Sequence, residues 1–599
     1  MADFEAGQSL GQLSADNGLT VLWVLAVLTD EKHRRRVSYN PFYRSLRKGL
    51  AAARHLALTL DRLRAAIGHG GAMKFLLSIA ILAALTGQAW AAPYEVAERD
   101  IATLQADMAA GRVSAADLVQ AYIARIDALD RSGPQLHAII AVNPNAIADA
   151  TALDAERKAK GARGPLHGIP ILVKDNIETA DPMPTTAGSL ALAGNVTHRD
   201  APLVARLRAA GAVILGKTNL SEWANFRSSY SIWGWSGVGG LVKNPYVLDR
   251  NPCGSSSGSA VAASASLAAA AIGTETNGSL VCPGSFNGIV SFKPTVGLVS
   301  RTHVVPISHT QDTAGPMARS VADAALVLNA IAGSDVADAV TADADARKSD
   351  YAGLSGASLR GKRLGVITAA PGAFPAQTAA LLTQALAALK AQGAQILEIN
   401  DFTVPPQITA DEKVLLQTEF KADLNAYLAS LPTSRVRSLS DLIAFNAASP
   451  RETILFGQNI LTEAQARGDL GDPEYVRARD EIKSLTSGAL DDLFTLLRLD
   501  AVIRPTNGPA VLTDIVRSAG YGSPDSASLP AEAGYPHLTV PMGDDHGLPV
   551  GLSFIGPAWS DAAILALGHA FEQATHARKP PAFLPALESS AGGAFEPAR

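Results

Sequence analysis

Between Asn251 and Val299 the chain reads NPCGSSSGSAVAASASLAAAAIGTETNGSLVCPGSFNGIVSFKPTVGLV, two Gly/Ser clusters joined by a run made almost wholly of small residues. A flexible linker is polar throughout. Residues 260–272 are instead small and apolar, which suits close approach of packed backbones in a buried layer. On either side of this stretch stand short continuous apolar runs, at 169–173, 212–215, 396–399, 501–503, 538–540 and 550–555. Runs of that length without alternation read as strands buried on both faces. Helical patterns separate them. Ser114 with Asp117 three residues on is a capping-box start, and Leu118, Tyr122, Ile126 and Leu129 follow at helical spacing. Further helices are expected at 146–160, 202–210, 377–390 and 561–573. This interleaving predicts an α/β layered fold with a central mixed β-sheet covered by helices. Residues 407–496 read as mostly helical, which predicts a helical lobe over the sheet.

Bulk properties exclude several function classes. The 599 residues are 47% hydrophobic and 18% charged, with a formal net charge of −5, so no nucleic-acid surface is expected. None of the 12 histidines stands in a metal spacing such as H-E-x-x-H, and no metal or other cofactor is called for. Two cysteines, Cys253 and Cys282, are too few for a disulfide framework, and their spacing alone leaves pairing open. From Met73 the chain reads MKFLLSIAILAALTGQAWAAPYE, with a basic start, an apolar run over 75–85 and an Ala89-Trp90-Ala91 cleavage box. Those are the three parts of a secretory signal, too short to span a bilayer. The expected organisation is an upstream extension over 1–72, lying ahead of a translation start expected at Met73, a signal peptide over 73–91, a catalytic domain over 92–585 and a disordered tail over 586–599. A periplasmic or secreted mature protein starting near Ala92, with no stable membrane insertion after cleavage, follows from that reading.

The Gly/Ser clusters admit two chemical readings. Gly254-Ser255-Ser256-Ser257-Gly258 satisfies G-x-S-x-G, but the preceding residues are broken by Pro245 and Pro252, a poor strand for a nucleophile elbow. The other reading joins both clusters to Lys174, which ends an apolar run. Amide cleavage needs a nucleophile, a proton shuttle and an oxyanion cradle. Gly-rich turns let peptide N–H groups converge without Cβ clashes, and a desolvated lysine can act as a base near neutrality. An ion pair between Lys174 and Asp175 is the competing explanation for that lysine.

In order along the chain stand GIPILVKDN, CGSSSGSA, GTETNGSL and FKPTVGLVSR. With DAPLVARLRAAGAVILGKTNLSEWANF, QDTAGPMARSVADA and AGYPHLTVPMG, they make residues 94–584 resemble the amidase signature family. The resemblance implies that family's fold and a Ser-Ser-Lys arrangement, with Ser279 as acyl nucleophile, Ser255 as bridging serine on a cis peptide bond after Gly254, and Lys174 as base. Ser255 and Ser279 stand 24 positions apart (279 − 255), as the family has them. It further implies an oxyanion hole from the backbone around Thr276, Asn277, Gly278 and Ser279, with Ser256 and Thr274 as supporting hydrogen-bonders. Asn277 stands where many members have Gly, and Val281 where many have Arg. NPCGSSSGS and Leu280-Val281-Cys282 are similar to the peptide amidase branch, whose members remove ammonia from C-terminal peptide amides. The expected partner is therefore a small-molecule or peptide amide. The alternative within the family is an amidotransferase component that supplies ammonia from glutamine, against which the export signal argues. Trp223, Phe226, Tyr230, Trp233 and Trp235 are candidates for an acyl pocket or for core packing, and His303 and His309 for loop packing.

Overall fold

The strands of the computed structural model are β1 (Ile139–Val142), β2 (Pro170–Lys174), β3 (Val213–Thr218), β4 (Trp235–Ser236), β5 (Gly240–Leu241), β6 (Ala270–Glu275), β7 (Val290–Lys293), β8 (Thr313–Ala318), β9 (Arg363–Ile367), β10 (Gln395–Ile399), β11 (Ala501–Pro505), β12 (His537–Asp545) and β13 (Leu548–Ile555). Eleven of them form one mixed sheet, in the order β1-β3-β2-β6-β8-β7-β12-β13-β11-β9-β10. A separate ribbon pairs β4 with β5. The structure describes residues 94–367, 374–400, 402, 405–516 and 526–587. The upstream extension and the signal-like segment lie outside the described residues. Of the 586–599 tail only Ala586 and Leu587 are described, and Leu587 packs against a cluster that holds Val247 and Phe286.

Parallel pairing joins β2 to both β3 and β6, and β9 to both β10 and β11. The centre is antiparallel, from β6 through β8, β7, β12 and β13 to β11. Successive residues of a strand point to opposite faces, and β12 shows what covers each. A Cβ added at Gly568, in the Asp561–Thr575 helix, would meet Leu538, whereas one at Gly284, in the Val281–Phe286 helix, would meet Thr539. Helices therefore lie on both faces. The Ser257–Ser264 helix joins the Val281–Phe286 side and packs on β6, β8 and β2. Every one of its eight residues is buried, as the small-residue composition requires. The capping box at Ser114 forms as expected, with Asp117 closing it.

The 407–496 region is a helical lobe with its own core. Its two long helices, Gln407–Ser430 and Pro473–Leu496, pack on each other, and Leu415, Phe420, Leu424, Leu461, Tyr475 and Ile482 fill the space between the lobe helices. The same cluster reaches Trp223, Val305 and Ile307 of the body. A buried ion triad pins the seam as well. Arg227 donates to Glu222 at 2.8 Å and to Glu452 of the lobe at 3.2 Å, beneath the rings of Trp235 and Phe456. No helix among the described residues is long and apolar enough to cross a membrane.

Candidate functional site

Parallel pairing sets Val173 of β2 opposite Ile272 of β6, so that the next residues, Lys174 and then Thr274, emerge together at the ends of adjacent strands. β2 ends at Lys174, while β6 runs one residue past Thr274 to Glu275, still paired with β8. The Lys174 amine is fully buried. It donates to Ser255 Oγ at 2.8 Å, to Thr274 Oγ1 at 2.8 Å, to Ser256 Oγ at 3.0 Å and to the Thr274 carbonyl at 3.3 Å. All four acceptors are uncharged. The expected competitor does not take the amine: Asp175 accepts from the Thr186 N–H and hydroxyl, and Lys174 forms no ion pair among the described residues. Burial disfavours the ammonium and pushes Lys174 down to about 7, against the opposing pull of Asp312 and Glu275.

Ser255 follows the cis Gly254–Ser255 peptide bond that the family resemblance implied. The loop around it has little room. A Cβ on Gly258 would lie 2.4 Å from the Ala138 carbonyl and 2.5 Å from that of Asn219, so glycine is the only residue that lets the helix start so close to the Asn219 backbone. Ser256 fixes the neighbouring strand end: its hydroxyl donates to the Thr274 carbonyl at 3.0 Å and accepts from the Thr274 N–H at 3.2 Å. Thr274 Oγ1 also accepts from Asn176 Nδ2 at 3.0 Å, a contact no sequence signal assigned.

Ser279 sits on the turn between β6 and the Val281–Phe286 helix and is 8% exposed, whereas Ser255 is fully buried. Two links hold its turn against the Ser255 loop. The Ser256 N–H donates to the Ser279 carbonyl at 3.2 Å, and Cys253 is disulfide-bonded to Cys282, with Cα atoms 6.0 Å apart. The pairing that the spacing left open is thus made, and it ties the residue before Gly254 to the residue three beyond Ser279. Among the described residues, no hydrogen bond joins the Ser255 and Ser279 hydroxyls; the line from lysine to first serine is closed and its second link is not.

The turn itself is shaped by Glu275, the last residue of β6. Its buried carboxylate accepts from the N–H groups of Leu280 at 2.7 Å and Val281 at 3.1 Å, and the Gly278 N–H also faces it. Gly278 has φ +81°, the left-handed conformation a glycine supplies. Asn277 is not among the residues with positive φ, so its side chain is accommodated without strain. The N–H groups of Asn277 and Ser279 make no hydrogen bond within the described residues. Thr276 Oγ1 donates to Asp312 Oδ1 at 2.5 Å, and burial raises the Asp312 carboxyl to about 6. A small cleft opens beside Thr274 and Thr276, with Asn176, Arg301 and Asp312 among its polar walls.

The aromatic candidates fall mostly into seams. Trp223 belongs to the lobe core, Phe226 stacks with Phe420 at 5.0 Å, Trp235 meets Phe456 at 5.1 Å and Trp233 packs near the disulfide. Tyr230 is exposed. The packing explanation holds for four of them, and none lines the cleft; the residue of that segment that does is Ala224. His309 is exposed and bound to the lobe, its Nδ1 lying 2.9 Å from Asp423. Glu275 and Asp312 are the residues sequence reasoning passed over. Both lie inside motifs quoted above, but nothing in their spacing distinguishes a buried acceptor from a surface acid.

Known proteins share this sequence pattern and this fold. The sequence profile of the Amidase family matches residues 117–565. The solved native peptide amidase from Stenotrophomonas maltophilia is 52% identical, with a TM-score of 0.78, over 82% of this chain and 100% of that one. A probable amidase of Arabidopsis thaliana is 40% identical over 82% of this chain and 93% of its own length. A component of the glutamyl-tRNA(Gln) amidotransferase of Chloroflexus aggregans is 34% identical over 79% of this chain and 96% of its own length. A buried lysine set against a serine loop at the strand ends of this mixed sheet, with a family match across the whole of it, makes the chain a member of the amidase signature family and an amidase hydrolase.

Proposed function

We propose that the chain hydrolyses carboxamides through an acyl-enzyme on Ser279, with C-terminal peptide amides as its substrates. The observation that carries this reading is the neutral-prone Lys174 amine, 2.8 Å from Ser255 Oγ and hydrogen-bonded to uncharged oxygens. Unprotonated Lys174 takes the Ser255 hydroxyl proton while Ser255 takes that of Ser279. Ser279 Oγ attacks the carbonyl carbon, and the oxyanion is received by the unengaged N–H groups of Asn277 and Ser279, each such donor contributing about 3–4 kcal/mol in comparable sites. As the C–N bond breaks, Ser255 returns a proton to the departing nitrogen. Water then enters by the same relay in reverse and releases the acid. The peptide amide class is supported by the 52% identity to a peptide amidase along its whole length. The lower identity to the amidotransferase component, 34%, does not favour glutamine-derived ammonia supply.

Export is part of the same proposal. It is supported by the signal-like segment from Met73 and by the Cys253–Cys282 bond, which persists in oxidising compartments. N-terminal sequencing of the mature protein is expected to read from near Ala92. For the chemistry, the test is Ser279→Ala: ammonia release from a dipeptide amide and labelling by a fluorophosphonate are both expected to vanish while the thermal midpoint holds. Retained turnover removes the assignment.

A further inference from the structure

Asn277 supplies a contact that glycine at this position cannot make. Its Nδ2 donates to Glu412 Oε1 of the lobe at 2.7 Å and to Ser528 Oγ at 3.3 Å. The same Glu412 oxygen accepts from Gln311 Nε2 at 3.1 Å, and that amide also donates to the Thr276 carbonyl at 3.3 Å. One carboxylate oxygen thus gathers both flanks of the peptide stretch that precedes Ser279. The grip continues along the Gln407–Ser430 helix. Seven residues on, on the same helical face, Glu419 accepts from Thr310 Oγ1 at 2.5 Å, and Asp423 accepts from the His309 N–H at 3.0 Å. Hydrogen bonds to a carboxylate are among the stronger kind, so the lobe helix holds the 308–312 segment and the nucleophile turn as one body.

We propose that Glu412 is a positioning residue for amide hydrolysis: through Asn277 and Gln311 it fixes the direction of the peptide N–H groups that receive the oxyanion. The proposal rests on the reading of Ser279 as nucleophile. Glu412 need not touch substrate to act. A cradle works because its donors are aimed before the reaction begins, and a displacement of about 1 Å costs on the order of 100-fold. Lys174 ends a strand and holds Ser255 at 2.8 Å, whereas the Ser279 turn, already shaped by Glu275 and the disulfide, takes its remaining support on the Thr276–Asn277 side from the lobe.

The test uses the mature protein, ammonia release from a dipeptide amide, and four variants: Glu412→Ala, Glu412→Gln, Asn277→Gly and the Glu412→Ala/Asn277→Gly double. Glu412→Ala and Asn277→Gly are each expected to lower kcat roughly tenfold or more with KM within about twofold. The double variant is expected to be no slower than the slower single, because both remove one tether. Glu412→Gln retains Oε1 as acceptor and is expected to recover most of the rate. Asn277→Gly restores a residue common in the family, so it reads the same tether even where Glu412→Ala fails to fold. A Glu412→Gln variant as slow as Glu412→Ala, unchanged kcat in Asn277→Gly, or single effects that multiply in the double would overturn the proposal. Turnover that survives Ser279→Ala removes instead the nucleophile reading; an enzyme that requires Ser279 yet ignores Glu412 removes only the positioning role.

Discussion

Replacing Lys174 with alanine separates a base from a structural lysine, because the two differ in pH dependence as well as in rate. Burial lowers the amine from its ordinary 10.5 to about 7, a bias of about 5 kcal/mol against the ammonium at ~1.4 kcal/mol per tenfold. At pH 7 roughly half of the molecules then carry a neutral amine, where a solvated lysine would offer about 3 in 10,000. The neutral form is the active one, so activity is full above this pKa and is lost as pH falls through it. Between pH 6 and pH 8 kcat/KM is expected to rise about tenfold in the unmodified enzyme. Lys174→Ala should lower kcat/KM by about 10²–10⁴-fold, the usual worth of a positioned general base, and should abolish the rise centred near 7. What remains is at most the shallow step of Asp312, whose carboxyl sits at about 6. The assay is ammonia release at substrate well below KM, from pH 5.5 to 9.5. A variant with the same midpoint and steepness as the parent, or a parent whose activity climbs only near the ordinary lysine value, refutes the reasoning.

Two further perturbations address what holds the site together. Replacing Cys253 and Cys282 with serine opens a loop closed over 29 residues; the chain-entropy relation expects a loss of about 3–4 kcal/mol, read as a lower urea midpoint, and a midpoint unchanged in the non-reduced protein would contradict it. Arg227→Ala leaves Glu222 and Glu452 facing each other without their cation at the lobe seam. About 3–5 kcal/mol should be lost at neutral pH, and less in mild acid, because burial already raises the Glu222 carboxyl well above its usual range and protonation relieves the pair. Thermal unfolding at pH 5 and pH 8 gives both values.

Much of the sheet was legible as apolar runs. β2, β3, β10, β11, β12 and β13 fall on or within a few residues of the expected segments, since Ile, Leu and Val in short blocks have few other places to go. β6, β7 and β8 were not foreseen as strands. β6 is built of AAIGTE, where alanine and glycine carry no strand preference; its identity comes from having β2 and β8 on either side. β8 contains Gly315 and Pro316, which read as breakers. Pro316 is tolerated because β7 pairs with β8 only at Ala318 and Met317, so no ladder partner on that side requires its missing N–H. At the site, ordered motifs pointed to Lys174, Ser255 and Ser279, and local chemistry alone left Lys174 open to an ion pair. The Glu412 contact lies 135 residues from Asn277, and no local pattern encodes it.

The division of labour between sheet and lobe has a consequence for altering what this enzyme accepts. Lys174 at its strand end and the serine loops beside it, crowded so closely that a single methyl at Gly258 finds no space, tolerate almost no redesign. The Gln407–Ser430 helix approaches from outside on long polar side chains, whose reach is adjustable. Libraries aimed at new amides are best confined to positions of that helix other than Glu412, Glu419 and Asp423, leaving the serine loops and the 308–312 segment those three clasp untouched.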